Sequence, residues 1–122
     1  FVAANPSPTA PPDVGGRLVI ASFNVSNYFA TIDTTASNSS GVCGPAGDLD
    51  CRGADSALEF ARQTAKLTAA ICGLAPDVLA LMEVENDDGA TADGLAEALA
   101  SVAGCGLWRA VATGPIGSGW PA

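Results

Sequence analysis

The segment Leu81-Met82-Glu83-Val84-Glu85-Asn86-Asp87-Asp88 carries the residues best suited to chemistry. It turns acidic directly after the apolar run Val78-Leu79-Ala80-Leu81. A short apolar run reads as a strand buried on both faces, so its polar end lies at the rim of a packed core. A carboxylate at such a rim is held rigidly and still meets solvent, which suits a divalent cation or a phosphoester. Glu83 is the leading candidate, as a hard oxygen ligand for Mg²⁺ or Ca²⁺. Glu85, Asp87 and Asp88 could add a cation-attracting rim, although a run of acids most simply makes a solvated turn. Glu85 would share Glu83's side of the strand if the strand continues that far.

Asn24 closes a second apolar stretch, Leu18 to Phe23. Its amide can donate to a phosphate oxygen and accept from a water or side chain, or it can simply end the strand as a turn residue. Arg52 has the planar fork that matches phosphate, but bracing Asp55 or a carbonyl is the simpler role. Tyr28 and Phe29 could stack on a base, with core packing as the default. Arg62, Gln63 and Lys66 share a helix face most simply turned to solvent.

These residues need elements to position them. Arg17 to Asn24 reads as a first strand, rich in Val, Ile and Leu. Val25 to Ala54 is an irregular loop of roughly thirty residues, a length more often functional or disordered than incidental. Ser56-Ala57-Leu58-Glu59 fits a capping box opening a helix to about Cys72. Phe60, Thr64, Leu67, Ile71 and Leu74 mark its buried stripe, Gly73 suits its C-terminal cap, and Pro76 stops it. Val78 to Val84 is the second strand. Thr91 to Ala103 is a weaker helix with Leu95, Leu99 and Val102 on one side, and Leu107 to Thr113 reads as a third strand. The order strand-helix-strand-helix-strand predicts an α/β fold. Its first two strands would run parallel through a right-handed crossover. Asn24 and Glu83 then meet at one sheet edge, where ligands of open α/β sheets bind.

Composition bounds the rest. The chain has 122 residues, 48% of them apolar, enough for one small domain and too apolar for general disorder. Residues 1–16, with Pro6, Pro8, Pro11 and Pro12, read as a linker, and Gly114 to Ala122 adds no element. No apolar run reaches the length of a membrane span. A net charge of −8 argues against a protein that coats nucleic acid with a basic surface. It leaves room for a hydrolase whose bound cations screen a phosphate. The four cysteines stand without histidine and without a Cys-x-x-Cys pair, which disfavours structural zinc. Disulfides and a secreted protein fit better, with four reduced cysteines in the cytosol as the alternative. Of three pairings, spacing favours Cys43–Cys51 and Cys72–Cys105, with chain-entropy gains of about 2.5 and about 4 kcal/mol.

Ala21-Ser22-Phe23-Asn24-Val25 with Asn27-Tyr28-Phe29 resembles the opening strand of the endonuclease/exonuclease/phosphatase superfamily, which includes deoxyribonuclease I. Leu81-Met82-Glu83-Val84 resembles its metal-ligand strand. Further segments are similar to the large bacterial extracellular nucleases: Cys51-Arg52-Gly53-Ala54-Asp55-Ser56, then Glu59-Phe60, Arg62-Gln63 and Lys66, then Met82 to Asp87. The resemblance implies a four-layer α/β sandwich, of which residues 17–122 would be the N-terminal part. It also implies secretion and metal-dependent hydrolysis of phosphodiester bonds in DNA or RNA. It makes Asn24 the residue positioning phosphate and attacking water. Glu83 becomes the ligand of the catalytic cation, Mg²⁺ or else Ca²⁺ or Mn²⁺.

Three departures bear on this. Ser26 stands where some superfamily members have an Asp. The family's acid/base histidines and its later Asp-x-Asn pair have no counterpart here. The expectation is therefore a half domain, inactive alone, that meets its nucleic-acid substrate only with a missing C-terminal half. A phospholipid or other phosphoesterase of the same fold, or a non-catalytic Ca²⁺-binding surface module, are the alternatives.

Overall fold

A computed structural model describes residues 10–33 and 52–111. The expected Cys43–Cys51 bridge, residues 1–9 of the expected linker and everything after Val111 lie outside these. Within them the protein is a small α/β unit of two strands and two helices in the order β1 (Ile20–Tyr28), α1 (Ala57–Leu74), β2 (Val78–Val84), α2 (Ala90–Ala100).

β1 and β2 pair in parallel, from Ile20 beside Val78 to Asn24 beside Met82. Asp77 locks the start of this ladder. Its carboxylate accepts the Val19 N–H at 2.8 Å and its own N–H donates to Val19 O at 2.8 Å. β1 begins later and runs further than the apolar stretch suggests, because Tyr28 re-pairs with Val84 beyond an irregularity.

α1 starts as its capping signal predicts. Ser56 is extended, and its Oγ accepts the Glu59 N–H at 3.2 Å. The reciprocal arm reaches one residue further out, with Glu59 Oε2 accepting from Asp55 N at 3.1 Å. The C-terminal cap is not Gly73. Leu74 still packs as a half-buried member of the stripe, so the helix runs through Gly73. Ala75 takes the left-handed cap at φ 47°, donating to Ile71 O. α2 is opened by Asp87, whose two carboxylate oxygens accept the Thr91 N–H at 3.2 and 3.0 Å. It stops at Ala100, three residues short of the expected Ala103, where tight turns through Val102 and Cys105 take over.

The expected third strand does not form over Leu107–Val111. Leu107 is 97% and Val111 86% exposed, and no backbone ladder joins the segment to β1 or β2. Strand propensity acts through pairing and same-face packing, and here Trp108 packs against the core but no neighbouring strand pairs with the segment. The left-handed glycines Gly104 and Gly106 turn the chain instead. Cys105 is bonded to Cys72 across 33 residues, and Trp108 Nε1 donates to Cys105 O at 2.9 Å.

One core holds the unit together: Val25, Tyr28, Leu67, Ile71, Leu95 and Leu99, with Phe23, Leu79 and Leu81 against them. Both helices thus cover the face of the sheet that carries Phe23, Val25, Leu79 and Leu81. The alternate positions Ile20, Val78 and Met82 remain 68, 49 and 46% exposed. Among the described residues the sheet is covered on one side only.

Candidate active site at the strand tips

Asn24 does not end its strand as the sequence suggests, since β1 resumes at Tyr28; it is the last residue of the regular ladder before the bulge, and parallel pairing sets it beside the end of β2. Asn24 Nδ2 donates to Glu83 Oε1 at 2.7 Å, across 59 positions of sequence. A bond this short to an ionised acceptor is charge-assisted. Asn24 Oδ1 in turn accepts the Ser26 N–H at 2.8 Å, which orients the amide with its nitrogen toward Glu83.

Strand alternation alone would not give this contact. Leu79 and Leu81 face the core, so a regular strand would put Glu83 among them. Glu83 instead has φ 63°, a left-handed conformation uncommon for a side-chain-bearing residue. The reversal leaves the carboxylate exposed, on the same side as Asn24. On β1, Val25, Ser26 and Asn27 occupy the interval that Glu83 alone fills on β2, and Ser26 and Asn27 are also left-handed, at φ 54° and 53°. Each such residue costs roughly 1–3 kcal/mol, and such strain gathers at functional sites. Gln63 restrains this bulge from α1, its Nε2 donating to Val25 O at 3.2 Å and Ser26 O at 3.0 Å. The helix face expected to meet only solvent therefore does structural work through Gln63. Its signal in the sequence was a lone neutral amide between Arg62 and Lys66.

The acids after Glu83 part company with it. Glu85 does not share its side of the strand: β2 has ended, and Glu85 is 7% exposed. Its Oε2 accepts from Thr31 N at 2.9 Å and from Thr91 Oγ1 at 3.3 Å. Asp87 accepts from Thr91 Oγ1 at 2.7 Å as well as capping α2. Asp88 is exposed, at φ 59°. Tyr28 and Phe29 are core residues. Tyr28 stacks on Phe60 at 4.9 Å and shares a 2.8 Å hydrogen bond with Thr64 Oγ1. Burial pushes its phenol above 10.0, the Thr64 bond opposing in part.

Arg52 forms no hydrogen bond to Asn24 or Glu83. It lines an open groove of about 390 Å³ with Ser26, Asn27, Arg62, Gln63 and Lys66.

Among the described residues no three acids, histidines or cysteines converge as a ligand cage. Ca²⁺ takes six to eight protein and water oxygens, whereas Mg²⁺ keeps its waters and needs one or two carboxylates plus a substrate phosphate. Glu83, exposed and with Oε2 outside the Asn24 bond, fits the second pattern.

No family model, no curated protein and no solved structure matches the chain.

Proposed function

We propose that this chain is part of a secreted, Mg²⁺-dependent phosphodiesterase acting on nucleic acid, built on the endonuclease/exonuclease/phosphatase plan. The observation that carries the reading is the 2.7 Å contact between Asn24 and Glu83, two residues made neighbours only by pairing of the strands that bear them. The reversed backbone at Glu83 supports it, because it presents the carboxylate to solvent beside Asn24, where a cation can reach it.

In this reading Glu83 holds the cation, which when bound stabilises charge on the phosphate oxygens. Asn24 has two amide hydrogens, and Glu83 takes one. The other is left for a phosphate oxygen, with the amide orientation set by Ser26 N–H. The chain holds no histidine, so the histidines that the resemblance implies for proton transfer would come from outside these 122 residues. The apolar outer face of the sheet is where the layers carrying them would pack.

The test is plasmid cleavage with Mg²⁺ by a longer polypeptide that carries this segment. Asn24→Ala or Glu83→Gln is expected to lower turnover at least about a hundredfold, the scale of losing one transition-state donor. The 122-residue chain by itself is expected to show none. Cleavage by either substituted protein at the unsubstituted rate would end the assignment.

A further inference from the structure

The groove beside the strand tips gathers three of the five cationic side chains of this acidic chain, Arg52, Arg62 and Lys66. Among the described residues none of the three is ion-paired or hydrogen-bonded through its side chain. The one acid on the lining, Glu59, is already engaged by Asp55 N. Arg62 and Lys66 are four residues apart on α1, about 6 Å along the axis, so they make a row rather than a point. Arg52 is brought to the groove by a close approach that only glycine permits. A Cβ on Gly53 would stand 2.6 Å from Phe29 Cβ, and Ala54 behind it is buried, its O accepting Asp33 N at 3.1 Å. The opposite wall is the strained pair Ser26-Asn27, pinned by Gln63. Ser26 N–H also holds Asn24 Oδ1, so groove and strand-tip pair share a residue.

We propose that this groove binds the sugar-phosphate backbone of a nucleic-acid strand next to the Asn24–Glu83 pair, with Arg52, Arg62 and Lys66 each facing a phosphate. This extends the phosphodiesterase reading and rests on it for the role of the neighbouring pair. A row of unpaired cations matches a polymer of repeating phosphates better than a single head group. Among the described residues the lining offers no aliphatic or aromatic side chain longer than alanine to enter a bilayer, which disfavours a lipid surface. Tyr28 and Phe29 are buried and supply no stacking platform, so recognition is of backbone and not of bases.

The experiment is fluorescence anisotropy of the 122-residue chain with labelled single-stranded oligonucleotides of thymidine or of deoxyadenosine, over a range of salt. The two are expected to bind equally. Arg52→Gln, Arg62→Gln and Lys66→Gln should each weaken binding several-fold and flatten the plot of log affinity against log salt by about 0.7. Arg17→Gln and Arg109→Gln, which remove the same charge elsewhere, should leave the slope unchanged. Arg62→Lys should restore it, and circular dichroism confirms folding of each variant. Equal losses from Arg109→Gln, no loss from the groove variants, or binding to anionic phospholipid vesicles instead of oligonucleotide would each overturn the groove. Binding that follows the groove cations, alongside a longer protein without Mg²⁺-dependent turnover, upholds the groove and removes the hydrolytic reading. Turnover on a small phosphodiester with groove-independent oligonucleotide binding does the reverse.

Discussion

Glu83 and Glu85 show how little residue type says without backbone. Two positions apart and chemically alike, they have opposite surroundings. Glu83 is turned to solvent by a left-handed φ, and Glu85 is buried under Thr31 and Thr91. Calorimetry of this chain with Mg²⁺ should therefore lose its binding heat in Glu83→Gln and keep it in Glu85→Gln. Persistence of the heat in Glu83→Gln would move the cation elsewhere. Tyr28 makes a separate prediction about pH. Its phenol titrates above the ordinary 10.0 because burial disfavours the phenolate. Between the two values the unfolded chain has released a proton that the folded chain retains, so the free energy of unfolding falls as pH rises. The contribution is intact below pH 10 and fades as pH climbs through the folded value. Denaturant midpoints of Tyr28→Phe should be flatter than those of the parent sequence above pH 10, and parallel curves would refute the linkage.

At the scale of elements, helix starts were legible and helix ends were not. A start is a local matter, set by a hydroxyl and an acid three residues on, and Ser56-Glu59 forms that contact. An end depends on what the last turn packs against. Leu74 is half-buried as the last residue of α1, so the helix passes its glycine and leaves Ala75 in a conformation that glycine tolerates better. Ala75→Gly is expected to raise stability by about 1 kcal/mol, the cost of a side-chain-bearing residue in that region. Thermal or urea unfolding reads it directly, and a lower midpoint would show that Ala75 is not strained. The same logic explains Leu107–Val111: the residues are right for a strand, but a strand exists only against a neighbour.

At the scale of the molecule, the described residues form a one-sided sheet under two helices. Such a unit buries little, and the covalent tie from the end of α1 to the turn after α2 carries weight accordingly. Cys72→Ser with Cys105→Ser should cost about 4 kcal/mol by chain entropy, a large share of the stability of any domain this size. If chemical denaturation moves by less than about 1 kcal/mol, the chain-entropy account does not apply here. No described helix is long and apolar enough to cross a membrane. The bare outer face with Ile20, Val78 and Met82 is the surface most in need of a cover.

Residue order alone carried the local and periodic features. It marked the capping box at Ser56, the stripe from Phe60 to Leu74, the bounds of β2, and the preference for pairing Cys72 with Cys105. It also placed Glu83 near the end of β2, and a single crossover suffices to set Asn24 beside it, although β1 runs on past Asn24 to Tyr28. Tertiary structure decided the rest. Strand alternation predicts a buried Glu83, and only the bulged register between Asn24 and Tyr28 shows it turned outward. The three cations of the groove are drawn from a loop and a helix whose approach depends on Gly53 fitting against Phe29. Local pattern reports what a segment prefers, whereas register and close approach depend on which segments meet.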